Sequence, residues 1–408
     1  MARSGLSSAS VPTNLLIKKN AGRNVPLEVI LQMAFVNTRD TIGDQATVDG
    51  LVEHSLTELK EDGIGIVETY ACYYNTGLQS LELPGVSQIK ANAFDACSNL
   101  EVVKLGGEGS SNSLSIAANA FNACSKLKHL IVDRPAKASL AAVSGLAGTP
   151  IARGEGAVYV PNDLLSTYKS DNVWKNFFIV DKTKYPLSVF DSLADYSWTD
   201  ILTNSDYATA YAVKDTKTME LTDGTKIKMD LAALDTDVKS DNSGNAKMTW
   251  ICHGVPYTSK MHSTADTSGG WITRDVIYSF LQGILDKIPS EIKSHIVPVK
   301  KTYRVKTPTD ETLSSDELIW LLSYKEVGFI DSSYIESDGV TYPTLFPSGT
   351  GTAAKNARIK YNTSGSALYW WLRSAYSSSN FSCVFNGGGA LSSGAGNAYG
   401  VVFGFCTD

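Results

Sequence analysis

Along the first half of the chain, leucine and valine recur in short, evenly spaced bursts. LQSLEL carries Leu78, Leu81 and Leu83; LEVVKL carries Leu100, Val103 and Leu105; LKHLIV carries Leu127, Leu130 and Val132. The stretches leading into the last two, IKANAFDACSNL and IAANAFNACSKL, also match, so Ile89, Phe94, Cys97 and Leu100 each recur 27 positions later. A fixed period with L-x-x-L-x-L predicts a solenoid, because one coil cannot bury its apolar face alone and stacked coils share a core. VYVPNDLLSTYKSDNVWKNF then reads as a terminal coil, a strand followed by a helix that packs Tyr168 and Trp174. Upstream, VPLEVILQMAFVN and ATVDGLVEHSLTELKED have helical periodicity, with Thr47 and Asp49 as caps.

Near residues 181–188 the leucine pattern stops. TKTMELTDGTKIKMDL alternates on both sides of Asp223-Gly224, which predicts a hairpin. Trp271, Val276, Phe280, Ile284 and Ile288 follow at helical spacing, and Pro289 ends that helix. A short helix in SEIKSHI, a strand in VPVKKTYRV and a capped helix in SSDELIWLLSYKEVGF come next. A Gly/Ser/Thr-rich connection leads to YWWLRS. The expected domains are an N-terminal arm and helical cap over 1–63, a solenoid over 64–180 and a C-terminal domain over 181–408.

Composition narrows the function classes. The chain has 408 residues, 43% hydrophobic and 19% charged, which fits two or three globular domains. A net charge of −6 without a Lys/Arg-rich run argues against a nucleic-acid surface or an anionic membrane. No stretch approaches the roughly 20 apolar residues of a spanning helix. The N-terminus has one early arginine but no apolar core of about 7–15 residues, so Sec-type export is not expected. The six cysteines, at 72, 97, 124, 252, 383 and 406, lack C-x-x-C spacing and are expected as buried free thiols, a Cys383–Cys406 bridge being the alternative.

The repeats resemble the leucine-rich repeats of bacterial surface proteins of the treponemal type, through their A-F-x-x-C-x-x-L element. The second half, with its G-G-W helix, P-V-K-K-T-Y strand, L-L-S-x-K-E-V and Y-W-W-L-R-S, resembles an uncharacterised bacterial and phage domain family with a C-type-lectin-like fold. A similar W-W-L-R entry occurs in variable proteins diversified by retroelements, phage receptor-binding proteins among them. The fold class expected is therefore α+β, a short leucine-rich-repeat solenoid followed by a C-type-lectin-like domain of the kind also found in formylglycine-generating enzymes. The repeat face is either a ligand surface or a spacer, and a short solenoid favours the spacer.

The terminal segment carries the functional expectation. From 376 to 399 it reads YSSSNFSCVFNGGGALSSGAGNAY, without a charge. Retroelement mutagenesis, as the resemblance implies, changes adenines in AAC or AAT codons and cannot yield Lys, Glu, Gln, Met or Trp; none of these occurs there. Tyr, Ser, Gly and Asn are also the vocabulary of antibody paratopes, in which Tyr supplies contact area and the small residues adapt. The residues expected on display are Tyr376, Ser378, Ser379, Asn380, Ser382, Phe385, Asn386, Leu391, Ser392, Ser393, Asn397 and Tyr399. Val384, Ala395 and the run 401–405 are expected inside, and Trp370, Trp371, Leu372 and Arg373 as frame.

Catalytic signatures are missing. No Walker loop, G-x-S-x-G or H-E-x-x-H occurs, and the histidines at 54, 129, 253, 262 and 295 are scattered. The E-P-N, Q-P-D and W-N-D triplets of calcium-dependent lectins are absent as well. Formylglycine-generating enzymes use a cysteine pair and copper, for which only Cys383 and Cys406 are candidates, and neither is well placed in the sequence. No enzyme activity, metal or cofactor is expected. The resemblance implies a phage virion protein that binds a host surface receptor, protein or glycan, and attaches to other virion proteins through its N-terminal part. A homo-oligomer is expected, a trimer being common in fibres, since avidity strengthens weak contacts. A bacterial surface adhesin with the same domains is the alternative.

Overall fold

The structure is a computed structural model describing residues 56–408, apart from 62–63, 108–109, 111–112, 188–189, 274, 307–309 and 331–339, plus the backbone of the strand Phe35–Asn37. Two compact units divide at Phe190 and Asp191.

The first unit is the solenoid that the leucine period predicts. One parallel sheet runs through Glu58–Lys60, Ser80–Glu82, Val102–Gly106, His129–Asp133, Ala157–Val160 and Ile179–Asp181. A second runs through Ile64–Val67, Gln88–Ile89, Ser115–Ile116 and Ser139–Leu140. Coil stacks on coil in register: Leu81 pairs with Val103, which pairs with Leu130. All three side chains point into the shared core and are fully buried. Phe94 and Phe121 stack at 5.3 Å, and the Cys97 and Cys124 thiols donate to the Cys72 and Phe94 carbonyls at 3.0 and 3.1 Å. The conserved spacing thus places each thiol as a small core side chain with one backbone partner.

Two expectations for the N-terminal region need correction. Phe35–Asn37 is a strand, antiparallel to Ile64–Val67, where a helix was expected to run on. Glu58–Lys60 is likewise a strand, because its Leu59 aligns with Leu81 and fills the first slot of the sheet core. Sheet pairing overrides local helical periodicity here. Leu56, Thr57 and Glu61 are not helical either, and the remainder of both expected helices lies outside the described residues, as do Thr47 and Asp49.

The outward face of the larger sheet is occupied by the unit's own residues. Glu82 bridges Lys60 at 2.8 Å and Lys104 at 3.7 Å. Further along, Lys182 reaches Asp133 at 2.5 Å. The Tyr159 hydroxyl lies 2.8 Å from His129 Nδ1 and accepts from the Leu187 N–H at 3.1 Å. Tyr185 stands edge-on to both rings. The segment beyond Asp181 is therefore laid back over the sheet.

In the second unit, the main sheet runs Thr216–Glu220, Lys226–Leu234, Met248–Cys252, Phe403–Thr407 and Ile296–Val297, with Trp320–Leu321 also paired to Phe403–Thr407. The predicted hairpin is its edge. A smaller sheet runs Tyr257–Lys260, Ala398–Val401, Trp370–Ala375, Asn380–Val384 and Ala390–Gly394. Val299–Val305 and Glu311–Glu317 form a separate hairpin. The helix Val276–Lys287 forms where expected, but it buries Ile277, Leu281, Ile284 and Leu285, one position round from the predicted stripe.

The helix expected in SSDELIWLLSYKEVGF does not form. Its first residues belong to the strand Glu311–Glu317, and Trp320–Leu321 pairs with the last strand. One turn within it is capped reciprocally: Ser323 N–H donates to Glu326 Oε2 at 2.8 Å, and Glu326 N–H donates to Ser323 Oγ at 3.1 Å. Only one turn follows, because Gly328 takes a left-handed φ of 74° and ends it.

Candidate binding surface

The frame comes first. Trp370 and Trp371 sit in one strand and point to opposite faces, so both indoles are buried. Each spends its N–H on a carbonyl, Trp370 on Arg358 at 3.0 Å and Trp371 on Ser259 at 2.9 Å. Arg373 is fully buried and grips Glu326 with both terminal nitrogens, at 2.5 and 3.0 Å. It also donates to the Leu321 and Thr302 carbonyls at 2.8 Å each. Lys301 completes the group, 2.5 Å from Asp237 and 3.1 Å from Glu326, with its ammonium 4.0 Å above the Trp320 ring. Two positive and two negative side chains thus neutralise one another inside the unit. Burial alone would raise the Glu326 carboxyl, but Arg373 and then Lys301 outweigh it and hold it at about 2.

Three loops project from this frame, the first and third at one end of the strands and the second at the other, because Trp370–Ala375, Asn380–Val384 and Ala390–Gly394 alternate in direction. The first turn closes where Tyr376 N–H donates to the Asn380 carbonyl at 2.8 Å. The second, between Asn380–Val384 and Ala390–Gly394, wraps the Phe385 ring: a Cβ on Gly387 would stand 2.4 Å from it. Gly388 has φ of +77°, and a Cβ there would lie 1.9 Å from the Lys355 carbonyl oxygen, so only glycine fits. In the third, Asn397 donates to Ser393 Oγ at 2.9 Å, and Ser393 Oγ donates to the Tyr399 hydroxyl at 3.1 Å. The Tyr399 ring rests on Trp371 at 4.8 Å and Tyr369 at 5.4 Å.

The expected display residues therefore divide. Tyr376, at 38% exposure, and Leu391, at 43%, stand out with Ser378, Asn386 and Asn397. Ser379, Asn380, Phe385, Ser392 and Tyr399 are half-buried. Two expectations fail: Ser382 is wholly buried and Ser393 is 8% exposed. Tertiary placement is the reason: Asn380–Val384 is an interior strand in which every residue from Phe381 to Val384 is buried. Ser382 sits mid-strand with its hydroxyl unpartnered, and Ser393 is used to brace Tyr399 and Asn397. Val384, Ala395 and residues 401–405 are buried as expected.

A segment missed in the sequence borders the first and third of these loops. Thr267 N–H donates to the Ser378 carbonyl at 3.1 Å, its hydroxyl donates to the Ser377 carbonyl, and the Met261 and His262 N–H groups share the Ala395 carbonyl at 3.0 Å. Ser263, Thr264, Ala265, Asp266 and Ser268 remain exposed beside the rim. No compositional signal marked it, since STADTS brings Thr and Asp, neither of which occurs in 376–399.

All six cysteines are buried and free, Cys383 and Cys406 lying in different sheets. Burial pushes the Cys383 thiol up to about 12 and the Cys406 thiol well above its ordinary range, with Asp237 adding to the latter. Among the described residues, no group of three or more His, Cys, Asp or Glu is placed to hold a metal ion. No helix among them is long and apolar enough to cross a membrane.

Residues 57–139 match the BspA type leucine rich repeat region, in six copies. The first unit carries leucine-rich repeats of this type. Residues 271–406 match a domain of unknown function (DUF6273). This span covers the buried charge quartet from Lys301 to Arg373, apart from Asp237, together with all three projecting loops. No curated protein and no solved structure matches the chain.

Proposed function

We propose that the second unit is a C-type-lectin-like, retroelement-diversified binding domain, and that the chain is a phage virion protein attaching to a receptor on the host surface. One observation carries this reading: an uncharged terminal segment exposes Tyr, Leu, Asn and Ser side chains around two strands, Trp370–Ala375 and Asn380–Val384, whose own residues are almost all buried. Such a division lets the exposed residues change while the core stays the same. The solenoid would serve as a spacer towards the rest of the particle, since charge pairs and the segment beyond Asp181 already use its outward sheet face. Homo-oligomers would raise avidity. The high thiol pKa values of Cys383 and Cys406 count against a formylglycine-generating type of chemistry, which needs reactive sulfur.

Mass spectrometry of purified virions, together with the DNA downstream of the coding sequence, provides the test. The chain should be a virion component, and a near-copy of its 3′ end should lie beside a reverse transcriptase, with adenines at the codons of the exposed residues. A chain found on bacterial envelopes and not on virions would favour the adhesin alternative. Absence of the near-copy would remove diversification from the reading.

A further inference from the structure

Display by the terminal segment leaves open what stands opposite it. The loop after Tyr257–Lys260 is fastened to that segment at both ends. Thr267 holds the first projecting turn through the Ser377 and Ser378 carbonyls, while Met261 and His262 hold the third through Ala395. A Cβ added at Gly396 would meet the Thr264 and Ala265 backbone at 3.7 and 3.8 Å, so loop and rim run side by side about a methyl group apart.

The loop is also stiff in itself. Asp275 caps the helix Val276–Lys287 and clamps Ser263 through its N–H at 2.9 Å and its hydroxyl at 2.5 Å. Asp266 closes a turn onto Ser268, accepting from its N–H at 2.9 Å and its hydroxyl at 2.8 Å. The following turn, Gly270–Thr273, packs on the Trp370–Ala375 strand and leaves Ile272 at 55% exposure.

We propose that residues 262–272 form a constant wall of the binding face, and that the partner is a folded protein surface touching wall and terminal segment together. This inference rests on the binding role proposed above for that segment. A rigid wall costs little ordering entropy on binding, which favours affinity. The partner class follows from how the apolar groups are spread. Ile272 stands on the turn Gly270–Thr273, Tyr376 at the start of the first loop and Leu391 on the strand Ala390–Gly394, apolar groups among Ser, Thr and Asn as anchors are within the polar surround of protein interfaces.

The test uses the full-length chain, fluorescently labelled, and intact cells that the wild type adsorbs. Thr264→Arg and Ile272→Arg on the wall are compared with Tyr376→Ala on the segment, with unfolding midpoints measured for all three. Each of the three should lower cell adsorption about tenfold or more, with midpoints unchanged. Protease treatment of the cells should abolish wild-type adsorption, whereas periodate oxidation of their glycans should not. Normal adsorption by both wall variants while Tyr376→Ala fails would overturn the wall alone. Loss after periodate but not after protease would overturn the protein partner. Normal adsorption by all three variants would overturn the segment's role and this inference with it.

Discussion

Replacing Arg373 by Met tests whether the frame is held by its buried charges. The guanidinium grips both Glu326 oxygens and donates to two backbone carbonyls, with no exposure to water. Methionine keeps much of the volume but leaves Glu326 with only the Lys301 ammonium and a backbone N–H. Breaking one partner of a buried ion pair costs about 3–5 kcal/mol. Two carbonyls losing a donor add roughly 1 kcal/mol each. A loss of about 5–7 kcal/mol is comparable to the whole stability of an ordinary domain, about 5–15 kcal/mol.

Urea unfolding followed by tryptophan fluorescence is the assay. Six of the seven tryptophans lie in the second unit and only Trp174 in the first, so the signal reports chiefly on the unit that changes. With a slope of about 3 kcal/mol/M, the midpoint should fall by roughly 2 M. Adding Glu326→Leu to Arg373→Met should recover much of the loss, because Lys301 and Asp237 remain as a neutral pair. A midpoint within about 1 kcal/mol of the wild type for Arg373→Met would refute the claim that this arginine holds the frame.

Other outcomes follow from the same contacts. Ser382→Ala removes a buried hydroxyl that has no partner, and should raise stability by about 1 kcal/mol while leaving adsorption unchanged; lower stability would show that the hydroxyl is satisfied. Burial opposes the charge on Glu326 and Asp230, yet Arg373 and Lys301 on one, and His253 and Lys360 on the other, hold each at about 2. Their folded pKa values are depressed, so the stabilisation is complete above about pH 5 and disappears as pH falls towards 2. Each contributes about 2–3 kcal/mol. A urea midpoint flat between pH 5 and 2 would contradict this. A thiol reagent should label none of the six cysteines in the native chain and all six after unfolding; native labelling of Cys383 or Cys406 would contradict their burial.

The repeat was legible because each coil meets the same neighbours, so position in the period decides environment. The hairpin at Asp223-Gly224 was legible for a local reason, since two residues fix the turn. The helix expected in SSDELIWLLSYKEVGF was misread because local periodicity says nothing of distant strand partners. Trp320 and Leu321 belong to a strand through their pairing with Phe403 and Gly404, more than eighty residues away in the sequence. Composition located the projecting segment, but it could not separate Ser378 from Ser382. Tertiary placement does that, since Ser378 lies in a turn and Ser382 in an interior strand buried on both faces, and a run of Ser, Gly and Asn carries no apolar pattern from which to read it. The wall at 262–272 was invisible for a related reason: its place depends on hydrogen bonds to carbonyls at 377, 378 and 395.

Randomising Tyr376, Ser378, Asn386, Leu391 and Asn397 together, and measuring unfolding midpoint and cell adsorption for each variant, addresses the central claim most directly. The expected result is midpoints close to the wild type in most variants, with adsorption lost or redirected to other cells. Collapsed midpoints in most variants, with adsorption intact wherever folding survives, would mean that these residues belong to the core and not to a binding surface.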